Sequence, residues 1–382
     1  MRIDKRQDSK LFSPTTVPHV EAADGCEMHA LCYCMAFLNL TEARPLQEVC
    51  QVSYLYVLPA LLCVTVLTNL LNVAVLLRPR PTARPRQTPA RTYLLWLGLS
   101  HCAICGLVVL ALSLGRRWGL PYVWAFYLAH IEEPLYGMFN CSCAYIIVAL
   151  SLERYRAVRQ PHQYSAIEKP VRRIIKIALA YVLPAVFYLP KCFAQAAEYN
   201  EQQHGWRVTQ GLIFDTTAWR VWSVVLELLH RVVPSVTLVV LNLLILQAVR
   251  RVRAVRAAMC TSRKRRENAQ GWDNQIRYLL IVLTAAFLLS NVPAAVLQLL
   301  YTAKAAHCST SLTSELARTV ANCLEMIGVC CDFFLYFVMN SEYRRDLQSL
   351  VMCVCGRCGC CGFLMRQFPA TDESSHHGAT FS

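Results

Sequence analysis

Seven stretches of the chain stay apolar for about the length of a membrane crossing. They cover residues 54–77, 92–115, 127–150, 173–190, 221–249, 274–301 and 314–339. A helix rises about 1.5 Å per residue, so about 20 apolar residues cross ~30 Å of hydrocarbon. Each run therefore predicts a spanning helix, the fourth being the shortest. A further apolar stretch, 28–40, is too short to span and has no basic flank before it. It does not read as a signal peptide, so the first span is expected to serve as an uncleaved signal anchor. No internal repeat and no soluble catalytic domain is left over. The predicted fold class is an all-α membrane protein, a seven-transmembrane helix bundle.

The polar segments between the runs alternate in charge. Segment 78–91 holds Arg78, Arg80, Arg84, Arg86 and Arg91 and no acid. The segment after the third run is basic from Arg154 to Lys176, and the one after the fifth from Arg250 to Arg277. The intervening segments are sparse and mixed. Basic loops stay in the cytoplasm, which puts the N-terminus outside and the C-terminus inside. Residues 1–53 then form an extracellular arm, 54–340 the bundle and 341–382 a cytoplasmic end. The triplet Asn39-Leu40-Thr41 lies outside, where Asn39 is a glycosylation candidate. Asn140-Cys141-Ser142 matches the same pattern but falls inside a span and is discounted.

Composition narrows the class further. Of 382 residues 55% are apolar and only 16% charged, and the net charge is +14. Soluble domains carry about 25% charged residues. The balance excludes a disordered chain and an ordinary soluble enzyme. The basic runs flank spans, so they face anionic lipid rather than nucleic acid.

The third run ends in Glu153-Arg154-Tyr155, with Pro161 soon after. A carboxylate beside an Arg at the inner mouth of a bundle can hold that Arg until it is freed. At this place, the triplet resembles the E/D-R-Y signature of rhodopsin-like G-protein-coupled receptors. Other residues match that family in order across 54–350. Asn69 stands where its first span carries Asn. Pro234 and Leu241-Asn242 resemble its fifth-span Pro and the pair that follows in peptide receptors. Phe287 and Pro293 resemble its sixth-span Phe and kink Pro. Asp332 to Tyr336 resembles the seventh-span N/D-P-x-x-Y, and Glu342 to Leu347 looks like a short amphipathic eighth helix. Tyr188-Leu189-Pro190-Lys191 and Ser290-Asn291-Val292-Pro293 resemble invertebrate FMRFamide-type neuropeptide receptors, Asn291 standing where most relatives carry Trp.

The resemblance implies a receptor and not an enzyme, in the plasma membrane. Its expected partners are an extracellular short, amidated peptide, a heterotrimeric G protein, arrestin and the lipid bilayer. No cofactor or metal is expected. Two readings stay beside it: a receptor-like protein that takes a non-peptide ligand or no longer couples, and a membrane transporter. Against the transporter stand the lack of an inverted repeat and of a line of charges through the helices.

The chain departs from the family in three places. His101 occupies the second-span position of an Asp, and Phe333 replaces the seventh-span Pro. Asn69, His101 and Asp332 all lie about 10–15 Å from the inner ends of their spans, so a His101–Asp332 pair is expected there. The family's disulfide joins the outer end of the third helix to the second outer loop. The matching helix position is Ala129, and 193–220 has no Cys. Cys26, Cys32, Cys34 and Cys50 of the arm offer three other pairings, and Cys192 and Cys308 are further candidates.

Heptad steps place Ile147, Asn140 and Glu133 on the same face as Arg154. Glu133 then lies high in the bundle, and the adjacent Glu132 points about 100° away. Glu325 shares a face with Asp332, and the fifth helix adds Glu227, His230 and Arg231. Glu133, Glu227 and Glu325 are thus expected to form a site for a cationic ligand, such as a peptide bearing Arg. The competing expectation is that Glu227 simply pairs with Arg231 four residues on. Pro293 permits a kink in the sixth helix. Asp273 is expected to contact Arg154 in the inactive state, the alternative being a solvated loop acid. In the tail, Cys353, Cys355, Cys358, Cys360 and Cys361 have spacings that can hold zinc. The cytosol is reducing and juxtamembrane Cys carries palmitate, so palmitoylation is expected instead.

Overall fold

A computed structural model describes residues 49, 52–78, 89–114, 120–160, 170–201, 204–213, 216–259, 282, 284–297, 312–339 and 341–358. At Asp332, Tyr336 and several other helical positions only the backbone is described. Five helices in these residues have the length and hydropathy of membrane spans: Leu58–Leu77, Arg91–Leu114, Tyr122–Arg159, Pro170–Phe193 and Thr217–Val252. The sixth helix contributes Thr284–Leu297 and the seventh Leu312–Met339. A further helix, Ser341–Cys358, follows. The architecture is a seven-helix bundle.

The third and fifth helices outrun their apolar stretches. The third starts at Tyr122, ahead of the apolar run, and the fifth at Thr217. The Thr216 side chain caps the fifth by accepting from the Trp219 N–H at 3.2 Å, satisfying a donor that a helix start leaves orphaned. At its other end the fifth continues through Arg250 and Arg251 to Met259.

One face of each helix is polar or closely packed and the other is left to lipid. Leu67, Ile174, Val182, Val236 and Leu289 point outward. Inward lie Thr65, Asn69, Asn72, Ser100, His101, Ser142 and Glu153. Polar groups are costly in hydrocarbon and so turn toward the bundle. Between them runs one apolar core of Leu58, Tyr93, Leu97, Ile146, Leu238 and Met326, reaching Tyr343 and Leu347 of the last helix.

Among the described residues three wide π turns interrupt the helices: Ser53–Val57, Leu128–Glu132 and Leu228–Val232. Each ends two residues before a proline, namely Pro59, Pro134 and Pro234. The cause is local. Proline has no N–H, and its ring clashes with the carbonyl four residues earlier; a wider turn moves that carbonyl aside. In the fifth helix the bonding is explicit. The Val233 N–H reaches back to the Leu228 carbonyl. The next donor in that register would be residue 234, a proline. The Leu229 carbonyl therefore takes its hydrogen from Tyr145 of the third helix, at 3.1 Å.

The outer segment after the fourth helix forms a β-hairpin, which the sequence pattern does not predict. Strands Gln195–Asn200 and Gly205–Gln210 pair antiparallel, with Gln195 opposite Gln210 and Asn200 opposite Gly205. His204 closes the turn with φ 48°. The hairpin is docked on the outer end of the third helix. Leu120 and Trp206 exchange backbone hydrogen bonds of 3.2 and 2.9 Å. The Tyr122 ring meets the Trp206 ring edge-on, with centroids 4.8 Å apart. Val208 packs with Leu114, Leu120, Ala125, Leu128 and Ala129. Ala129 is the position where the sequence comparison expects a Cys. Apolar packing and one backbone pair thus dock the hairpin on this helix end. Cys192 is a free thiol among the described residues.

Candidate functional site

The outer half of the bundle gathers charged groups from four helices. Arg231 of the fifth helix stands at the centre. Its guanidinium donates to Glu227 at 2.7 Å and to Glu325 of the seventh helix at 2.8 Å. Tyr136 of the third helix lies close to Glu325. All three charged side chains are nearly buried. The nearby carboxylate of Glu133 accepts from Lys191, at the end of the fourth helix. Its second oxygen accepts from Gln195 Nε2 at 3.1 Å. Tyr188 lies within electrostatic reach of Glu227, Arg231 and Glu133, and Tyr136 of Glu325, Arg231 and Glu132. The two ion-pair groups therefore form one cluster.

The structure brings Glu133, Glu227 and Glu325 to one region, with His230 beside them. It changes the expected picture in two respects. First, Glu133, Glu227 and Glu325 are each paired with a basic side chain of the chain itself. Second, Glu132 is buried, at 7% exposure. It ends the π turn Leu128–Glu132. His230 Nδ1 and the Tyr188 hydroxyl are hydrogen-bonded at 2.7 Å. That contact needs Gly137, because a Cβ there would run into the Tyr188 ring. Asn140 sits half-buried two turns further in than Glu133. Asn291 turns its amide to its own helix, donating to the Phe287 carbonyl at 2.9 Å and to Ser290 Oγ at 3.2 Å.

Deeper in the bundle, His101 meets Asn69. Asn69 Nδ2 donates to the Thr65 carbonyl at 2.9 Å, which leaves Oδ1 to accept from His101 Nδ1 at 3.2 Å. Asp332 lies on the seventh helix, but its side chain is outside the described residues, as is that of Tyr336. Phe287 packs against the main core, and Pro293 is half-buried. Asn242 of the fifth helix donates to Thr284 of the sixth.

At the inner end Glu153 is 2% exposed and accepts from Lys176 of the fourth helix at 2.8 Å. Arg154 beside it is half-buried. Tyr155 packs on Ile245 and Val249 of the fifth helix and accepts from Arg159 at 2.5 Å. Tyr343 of the last helix donates to Asn72 at 2.6 Å. Asn39, Asp273, Cys360 and Cys361 lie outside the described residues; Cys353, Cys355 and Cys358 lie on the helix Ser341–Cys358 with their side chains outside them. Lys191, Gln195, Tyr136, Tyr188 and Lys176 carry contacts that the sequence reading did not assign. No periodicity marks them, since each meets a partner from another helix or loop.

A profile of the family described as 7 transmembrane receptor (rhodopsin family) matches residues 68–336. The chain belongs to that family. It is a multi-pass membrane receptor and not an enzyme, and the family's members take a ligand and a G protein as partners. Two probable G-protein coupled receptors of Caenorhabditis elegans are similar to this receptor over most of its length. One, B0563.6, is 25% identical over 83% of this chain and 73% of its own. The other, AH9.1, is 25% identical over 82% of this chain and 79% of its own. Nematocin receptor 2 of the same organism is 22% identical over 49% of this chain and 50% of its own.

Proposed function

We propose that this receptor sits in the plasma membrane with its N-terminus outside, binds an extracellular short, amidated neuropeptide and activates a heterotrimeric G protein. The observation that carries the ligand class is the charge of the outer cluster. Glu133, Glu227 and Glu325 stand against Lys191 and Arg231. Such a cluster is short of positive charge, and a cationic ligand group completes it. Similarity to a nematocin receptor and the resemblance of Tyr188 to Lys191 and of Ser290 to Pro293 to FMRFamide-type receptors support a peptide as its bearer. In this reading Glu133, Asn140, Glu227, His230, Asn291 and Glu325 face the ligand.

The coupling reading rests on Glu153-Arg154-Tyr155 at the inner end of the third helix. Asn69, His101, Asp273, Phe287, Pro293, Asp332 and Tyr336 act as parts of the same switch. Arrestin binds the same inner face after activation. Asn39 carries a glycan, and Cys353, Cys355, Cys358, Cys360 and Cys361 carry palmitate. A second-messenger assay with a promiscuous G protein and a library of amidated peptides tests the whole. A saturable response to one peptide class supports it. Silence at confirmed surface expression contradicts it.

A further inference from the structure

Arg231 bridges the fifth and seventh helices, and its two bonds are not equivalent. Glu227 lies one turn away on the same helix, at 2.7 Å. That pair survives any movement of one helix against the other. Glu325 lies on the seventh helix, at 2.8 Å, and holds only while the two helices keep their present separation. The Glu325 side chain is 12% exposed, and Tyr136 of the third helix lies close to it. It is therefore a buried, oriented carboxylate already shaped around a guanidinium, and the guanidinium in place is the chain's own. Arg231 uses its Nη ends for the two acids, while its Nε is buried without a hydrogen-bond partner among the described residues.

We propose that Glu325 is the cation subsite of this receptor and that Arg231 is its tethered placeholder. A guanidinium on the ligand takes the place of Arg231 on Glu325. Arg231 stays with Glu227, and the fifth and seventh helices are released from each other. The exchange replaces like with like, so no buried carboxylate is left uncompensated at either stage. A guanidinium suits the site better than an ammonium, because its planar fork matches a carboxylate while an ammonium acts as a point charge. This inference rests on the reading of the outer cluster as the ligand site. It adds the chemistry of the ligand and the step that links binding to helix movement.

The test uses the full-length receptor and two small probes, arginine amide and its neutral isostere citrulline amide. The double variant Glu227→Gln/Arg231→Gln keeps the net charge of the triad and opens Glu325. In the purified receptor, arginine amide should raise its melting temperature saturably, half-saturating at a concentration about tenfold lower than in wild type. Citrulline amide should not, and Glu325→Gln should abolish the shift. In cells at matched surface expression, the double variant and Glu325→Gln should both raise basal signalling about twofold or more, because each cuts the tie between helices. If the double variant fails to reach the surface, Arg231→Lys replaces it: it keeps a cation without the fork, and basal signalling should still rise. Equal responses to the two probes, or basal signalling at or below wild type, overturn the inference. A wild type that answers peptides while Glu325 fails these tests leaves the peptide-receptor reading standing and removes only this one.

Discussion

Lys176 of the fourth helix donates to the Glu153 carboxylate at 2.8 Å, so the acid beside Arg154 is held by a cation from a second helix. Glu153 is buried, and its carboxylate is a shared resource. Without Lys176, it interacts more strongly with Arg154. Lys176→Gln should therefore lower basal signalling, while Glu153→Gln should raise it. Ligand-free second-messenger levels at matched surface expression check both. A rise in Lys176→Gln would contradict the account.

The outer hairpin depends on Trp206. Its backbone pairs with Leu120, and its ring packs between Tyr122 and Tyr199. Trp206→Ala removes the ring while leaving the backbone pair, so the hairpin should loosen without loss of the bundle. Peptide potency should fall about tenfold, equivalent to about 1.4 kcal/mol, with surface expression retained. Unchanged potency would show that the hairpin position does not shape the site.

The Tyr145 hydroxyl supplies the donor that Pro234 lacks. Tyr145→Phe leaves the Leu229 carbonyl without that hydrogen bond inside the bundle, a loss of about 1–2 kcal/mol. The purified variant should melt at a lower temperature than wild type. Pro234→Ala restores a backbone N–H, so adding Tyr145→Phe to it should cost less than Tyr145→Phe alone. Equal costs in the two backgrounds would sink the explanation.

The spans and their order are legible because hydrophobic length is a property of each segment alone. The π turns have a sequence mark too, a proline two residues past each turn, but Pro184 sits inside the fourth helix without such a turn among the described residues. The mark is therefore not sufficient. The pairing of Glu227 with Arg231 is visible as an i,i+4 spacing, whereas the reach of Arg231 to Glu325 spans helices and has no local signature. The same holds for Glu133 and Lys191, which are 58 residues apart. The hairpin is hidden for a different reason. Its strands lack a Gly- or Asn-based two-residue turn, and His204 takes up the left-handed conformation instead.

Charge reversal tests the ligand site. Glu133→Lys puts a second ammonium beside Lys191, and Glu325→Lys sets one against Arg231. Each should raise the peptide concentration for half-maximal response at least about tenfold. Full potency in both variants would remove the cationic-ligand reading.

The central claim is that an extracellular peptide drives G-protein activation through Arg154. The most direct measurement is G-protein activation, read by energy transfer between G-protein subunits, in cells expressing the wild type or Arg154→Ala at equal surface levels. Both are challenged with the amidated-peptide library. The account predicts a saturable signal in the wild type that Arg154→Ala abolishes. A peptide signal that persists undiminished in Arg154→Ala, or no signal from a wild type present at the surface, would contradict it.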